Sequence, residues 1–372
     1  MEHSQPPALR SAGGRLALVM IVRDEARCIE RCLQSARAHV DHMLVLDTGS
    51  RDDTVALARA CGAEVHHMDW QASFAIARNR ALELADADWN LVLDADEWIV
   101  AGGAALRGLV PTLNGPGVLR IDSHCEQGEV ASHWITRLLP RGVRYAGTVH
   151  EQPVSALARR RLPVVVGHDG YLGNALELKR GRNRALLQAA LQAAGGGEPY
   201  LLYQLGVDCE AYGERDAAAD FYLQALECVS PDELYRPQLI VRAMHCLGKS
   251  GRLAQAMAMA SESMDELAQS TNFYFTLGDL CLDGAVAHPE AAMAEWLPLA
   301  ETAWLRCLAL GECPEEDGRV VGRGSYWAAH NLHAIYAGAG DGVRSAHYQQ
   351  LSERLRHEVM ASGQGSPVRS PA

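Results

Sequence analysis

Apolar and polar positions change their rhythm twice along this chain. In the first part, short apolar runs of strand length alternate with segments whose apolar residues recur at helical spacing. "LALVMIV" (16–22) is such a run, and the mixed segment "DEARCIERCLQSARAH" after it is compatible with a helix. "HMLVLDTGS" (42–50) gives a second strand closing in turn residues, and "RDDTVALARACG" a helix that stops at Gly62. "AEVHHM" is a weak third strand, "SFAIARNRALELAD" a helix and "WNLVLDAD" a fourth strand. Strands and helices alternating at this length predict βαβ units and a mostly parallel sheet, an α/β fold. Between about residues 100 and 175 the pattern loosens into "GVLRID", "HWITRLL" and "LPVVVGH", short strands that predict an antiparallel extension.

"AAGGGEP" (193–199) then reads as a linker, and beyond it the chain is Ala- and Leu-rich with helical spacing and almost no strand signal. An internal repeat runs through this part. Leu205-Gly206, Gly213, Ala218, Tyr222 and Ala225 fall at the offsets of the roughly 34-residue tetratricopeptide unit, with Pro231 near its end. Leu247, Gly251 and Ala256 repeat the frame, although Ala243-Met244 stand at its first small pair; Leu277-Gly278 restart it before a longer insertion. Leu332, Tyr336 and Gly340 mark a degenerate last copy. An all-α domain of helical pairs is predicted, each pair burying its apolar face on its neighbour.

Composition narrows the class. At 372 residues the chain holds one large or two medium domains, and 48% hydrophobic residues suffice for a sizeable core. A formal charge of −12 argues against nucleic acid bound through the general field. The ten cysteines include no C-x-x-C pair, so they read as small buried hydrophobes in a reducing compartment. The N-terminal "MEHSQPPALRSAGG" lacks the apolar segment of a signal peptide, and no apolar run is long enough to span a membrane. The expected location is the cytoplasm.

The candidate chemistry starts where the fourth strand ends. Asp94, Asp96 and Glu97 follow Leu91, Val92 and Leu93 at once, and carboxylates this close need a cation or strong donors. Two aspartates flanking one residue at a strand end point the same way, and carboxylate oxygens suit Mg²⁺ or Mn²⁺. Asp47 and Asp94 both lie at carboxyl ends of strands, where ligands of parallel sheets sit.

With "LALVMIVRDEARCIERCL", "DHMLVLDTGSRDDTVALARACGAEV", "FAIARNRALELADADWNLVLDADEWI", "YAGTVHEQP" and "GHDGY" in order, residues 15 to 185 resemble the family 2 glycosyltransferases. The likeness is to the bacterial branch in which the nucleotide-sugar transferase domain is fused to tetratricopeptide repeats. It implies a Rossmann-like transferase domain over 15–185, a linker over 186–199 and TPR-like repeats over 200–358, between a disordered 1–14 and a disordered tail, 359–372. It also implies a nucleotide-sugar donor, uridine diphosphate being the family's commonest carrier, and Mn²⁺ or Mg²⁺. Asp47, with Thr48 and Gly49, would meet the nucleoside, and Arg78 and Asn79 the nucleotide. Asp94 and Asp96 would be the metal and ribose-diphosphate residues, Glu97 would lie by the sugar or organise the loop, and His168 would complete the metal shell. Inversion by in-line attack needs a base, and His150 and Glu151 are the candidates, Glu151 slightly preferred. Asp52 and Asp53 read as caps of the next helix.

Relatives often read N-x-E after the first strand, whereas this chain has Arg23-Asp24-Glu25; Asp24 is therefore left out of the site and Glu25 kept as a weak candidate. The repeats suit a peptide or protein acceptor, or else homodimerisation or docking to a larger assembly. The competing reading is a repeat scaffold with an inactive transferase domain. A nucleotidyltransferase is set aside because "VRDEARC" offers no Gly-rich phosphate loop.

Overall fold

The computed structural model describes residues 14–124, 129–170 and 181–361, which fall into two compact units. The first takes residues up to His124 and from His133 to Leu178; the second takes Cys125–Ser132 and the chain from Lys179 onward. The expectations for residues 1–13 and 362–372 lie outside the described residues.

In the first unit, β1 (Leu16–Val22), β2 (His42–Asp47), β3 (Glu64–His67) and β4 (Trp89–Val92) alternate with α1 (Ile29–Arg37), α2 (Thr54–Ala60) and α3 (Phe74–Ala85). β1 lies parallel to both β2 and β4, and β2 is parallel to β3. Leu18, Met20 and Val22 of β1 enter one apolar cluster while Ala17 and Val19 enter another. Burial on both faces is why the strand reads as an unbroken apolar run. Ser73 caps α3 by accepting the Ile76 amide at 3.3 Å.

The extension holds β5 (Glu97–Ala101), β6 (Gly117–His124), β7 (Val130–Pro140), β8 (Arg144–Ala146), β9 (Gln152–Val154) and β10 (Arg160–His168). The sheet order is β3-β2-β1-β4-β7-β6-β10-β5, with β8 and β9 forming a separate ribbon. β7 is antiparallel to β4, as expected, but β10 runs parallel to β6. β5, directly after the acidic turn, escaped the sequence reading; it pairs antiparallel with β10.

In the second unit a helix occupies Arg182–Ala193, covering part of the 186–199 stretch read as linker. Four helical pairs follow: Pro199–Ala211 with Arg215–Cys228, Arg236–Lys249 with Leu253–Ser263, Thr271–Ala287 with Leu297–Leu310, and Tyr326–Gly338 with Gly342–Ala361. The last helix continues to Ala361, past the start of the expected tail, because Val359 is buried. Gly213, Gly251 and Gly340 each follow the first helix of a pair at positive φ (75°, 82° and 75°). After each glycine the next amide bonds five residues back: Glu214 to Cys209, Arg252 to Leu247, Asp341 to Tyr336. That is the Schellman ending, and a residue with a Cβ is strained in it. The third pair carries the insertion, closing in a π-helical turn over Ala292–Trp296.

Residues 311–325 connect the third and fourth pairs and lie along the first helices of the earlier pairs. Asn272 donates from Nδ2 to the Gly318 carbonyl at 2.9 Å, and its Oδ1 accepts from the Val320 amide at 3.4 Å and from Arg323 Nη1 at 3.2 Å. A short strand, β11 (Arg319–Val320), pairs antiparallel with Ser132 and Ala131, which group with this unit. Nine described cysteines are free thiols, and seven of them are buried. No described helix is long and apolar enough to cross a membrane.

Candidate active site

Strand register assembles the site. His168 stands opposite Glu97 on β5 and opposite Ser123 on β6. Asp96, one residue before Glu97, is thereby carried to the same place: its Oδ2 lies 3.6 Å from His168 Nε2. Ser123 Oγ is 3.0 Å from His168 Nδ1 on the far side of the ring. A partner on Nδ1 fixes an imidazole with Nε2 turned toward the carboxylate. A Cβ at Gly170 would fall 2.3 Å from Asp96 Oδ2 and 2.5 Å from His168 Nε2, so only glycine leaves that approach clear.

Asp94 goes elsewhere. β4 ends at Val92, and residues 94–97 form a turn closed by the Glu97 amide on the Asp94 carbonyl at 3.0 Å. Strand alternation has ceased there, so the two aspartates do not share partners as the sequence spacing implied. Asp94 Oδ1 accepts from Arg78 Nη2 at 2.6 Å and Oδ2 from Arg137 Nη2 at 2.9 Å. Burial opposes its ionisation, but the Arg78 and Arg137 guanidiniums hold its carboxyl well below the usual range. Among the described residues no three His, Cys, Asp or Glu side chains gather as a metal site. Of the expected set Asp94, Asp96 and His168, the last two meet. One carboxylate and one imidazole, with space kept clear by Gly170, fit a hard divalent cation that takes its remaining ligands from phosphate and water.

Glu97 is buried, accepts the Asp94 amide at 3.0 Å and pairs with Arg137. Its burial raises its pKa against the pull of Arg137. Glu97 thus links Arg137 to the Asp94 backbone. Glu151 and the neighbouring His150 are both half-buried; the Glu151 side chain is 8% exposed and pairs with Arg78 Nε, while His150 has left-handed backbone at φ 49°. Few non-glycine residues adopt that conformation. Arg78 is legible as unusual: it lies on the buried stripe of α3 with Ala75, Ala81, Leu82 and Ala85. Asn79, the next residue, faces β8 instead, bonding the Tyr145 backbone through both ends of its amide at 2.9 and 2.8 Å. Both ends of its amide are thus spent on the ribbon.

At the end of β2, Asp47 is buried and accepts amides of its own turn, Gly49 at 3.2 Å and Ser50 at 3.1 Å, with His67 Nδ1 at 3.2 Å. Burial would raise its pKa; the Ser50 and Gly49 hydrogen bonds keep it below the ordinary value. Thr48 ties its hydroxyl to the Val22 carbonyl at 3.0 Å. Asp52 accepts the Thr54 amide at 3.0 Å and the Ala26 amide at 3.1 Å, whereas Asp53, at the cap position, makes no side-chain cap bond. Glu25 takes a 3.2 Å contact from Cys28 Sγ, and Asp24, at φ 56°, accepts the Arg51 amide at 2.7 Å. Asp24 and Asp52 thus stitch the first two βα loops together.

Arg137 was missed. Its only mark in the sequence is a charge inside the otherwise apolar end of "HWITRLL". Leu138 pairs with Leu91, so Arg137 stands level with the carboxyl end of β4.

The model of glycosyl transferase family 2 matches residues 17–123. A TPR repeat-containing protein of Synechococcus elongatus is 32% identical over 278 residues, 69% of this chain and 68% of that protein. The prophage-derived glycosyltransferase SunS of Bacillus subtilis is 34% identical over 79 residues, 21% of this chain and 19% of its own. A crystal structure of glucosyl-3-phosphoglycerate synthase from Mycobacterium tuberculosis, in complex with Mn²⁺, UDP and phosphoglyceric acid, is 28% identical and covers 32% of this chain and 45% of that one. Its TM-score is 0.25. The chain thus carries a glycosyl transferase family 2 domain over residues 17–123 and, by a relative matched over two thirds of its length, belongs with the TPR repeat-containing proteins, its helical repeats following the transferase domain.

Proposed function

We propose that the chain is a metal-dependent, inverting glycosyltransferase that moves a sugar from a nucleotide-diphosphate sugar, a UDP-sugar first among them, to an acceptor. The observation carrying this reading is the Asp96–His168 pair at the carboxyl edge of the sheet, with Gly170 leaving clear the space against both. A divalent cation bound there would neutralise charge on the departing diphosphate. Asp47 and Thr48 shape the turn offered to the nucleoside, and Arg78 and Arg137 keep Asp94 ionised. The burial of Glu151 and its bond to Arg78 favour His150 as the group that takes the acceptor's proton, with Glu151 holding the loop. An imidazole suits that role near neutral pH. A polypeptide acceptor is the class that helical repeats suit best.

The test is a panel of nucleotide sugars incubated with the protein in Mn²⁺ and in chelator, following release of nucleoside diphosphate. One donor should be hydrolysed in Mn²⁺ alone, with loss of about 100-fold or more in Asp96→Ala. If no donor is consumed or bound in either condition, the chain is a repeat scaffold with an inactive transferase domain.

A further inference from the structure

Arg137 comes from β7, outside every motif that marks the transferase domain, and is buried among the acidic residues. One of its nitrogens, Nη2, makes both of its bonds, to Asp94 Oδ2 at 2.9 Å and to Glu97 Oε1. Glu97 in turn accepts the Asp94 amide through its other oxygen at 3.0 Å. Side chain and backbone of the 94–97 turn are thus tied to a single point on a neighbouring strand. Arg78 is built differently: it spans Asp94 with Nη2 at 2.6 Å and Glu151 with Nε.

We infer that Arg137 is a positioning residue for sugar transfer: by clamping Asp94 and Glu97 together it fixes the turn that presents Asp96 to His168. The inference rests on the transferase reading above. Without Arg137, Glu97 loses its cation and Asp94 keeps only Arg78, so the two carboxylates of one short turn are no longer held together and the turn reopens. The Asp96 side chain, which Arg137 does not touch in any bond described above, then loses its set orientation toward the imidazole.

The two arginines should tolerate replacement differently. A lysine ammonium carries three hydrogens on one nitrogen, so at position 137 it can reproduce both bonds. At position 78 the bonds leave from two nitrogens, Nε and Nη2, toward two separate carboxylates, and a single ammonium nitrogen does not reproduce that fork.

The experiment measures Mn²⁺-dependent binding of uridine diphosphate to the full chain by calorimetry, alongside far-ultraviolet melts. Arg137→Met should weaken binding about ten-fold or more, Arg137→Lys should recover most of that loss, and Arg78→Lys should stay as weak as Arg78→Met. Should Arg137→Met fail to fold, the double variant Arg137→Met/Glu97→Gln removes one charge of each sign. It should melt near the parent yet still bind about ten-fold more weakly. A folded Arg137→Met or double variant that binds like the parent overturns the inference, as does a folded Arg137→Lys no better than the methionine variant. Failure of the parent itself to bind any nucleoside diphosphate overturns the transferase reading instead.

Discussion

A methyl group added at Gly170 would stand 2.3 Å from one oxygen of Asp96 and 2.5 Å from Nε2 of His168. Neither side chain can retreat easily, since Asp96 is buried and His168 is tied to Ser123 at 3.0 Å. Gly170→Ala should therefore raise the Mn²⁺ concentration needed for donor hydrolysis by about 10- to 100-fold, and the overpacking should lower the melting temperature as well. A titration of Mn²⁺ at fixed donor checks this. At this scale the sequence was legible for residues inside motifs and silent elsewhere. Asp94, Asp96, Glu97 and His168 stand out because charge follows an apolar strand or sits in a recognisable string. Arg137 does not, because its partners lie 40 and 43 residues away and come together only when β7 pairs with β4. Asn79 shows how little a string says about direction: a helix turns each successive side chain by about 100°, so Arg78 meets Asp94 while Asn79 bonds the β8 backbone.

Between elements, close approach decides the helical pairs. At Gly206 an added Cβ would lie 2.2 Å from the ring of Tyr222, which has no exposed surface and bonds Glu210 at 2.7 Å. Alanine would gain about 1 kcal/mol in helix propensity, but overpacking a ring with no room to move costs about 1–3 kcal/mol. Gly206→Ala should be destabilising on balance, seen as a lower urea midpoint by circular dichroism. The period of the apolar residues made β1, β2, α3 and the helical pairs readable, and the turn glycines at 213, 251 and 340 marked where first helices stop. β5 was unreadable because its five residues follow the acidic turn without a break. The direction of β10 was equally hidden, because local pattern carries no record of which neighbour a strand will find.

For the molecule as a whole, the bond pair from Asn272 to Gly318 and Val320 is the feature with the widest reach. A carboxamide bonding the carbonyl of one residue and the amide of another nearby recognises main chain rather than any particular side chain. Gly318 adds shape, since a Cβ there would lie 2.4 Å from Gln238. Asn272→Ala should leave the helical pairs folded and speed protease cleavage and amide exchange between residues 312 and 323, which mass spectrometry can follow. A ligand joined to its receptor by a short stretch of chain competes at an effective concentration on the order of millimolar. Any incoming polypeptide seeking the surface around Asn272 is measured against that standing competitor; if the tethered segment itself binds with micromolar intrinsic affinity, the incoming chain registers about a thousand-fold weaker until residues 318–320 let go.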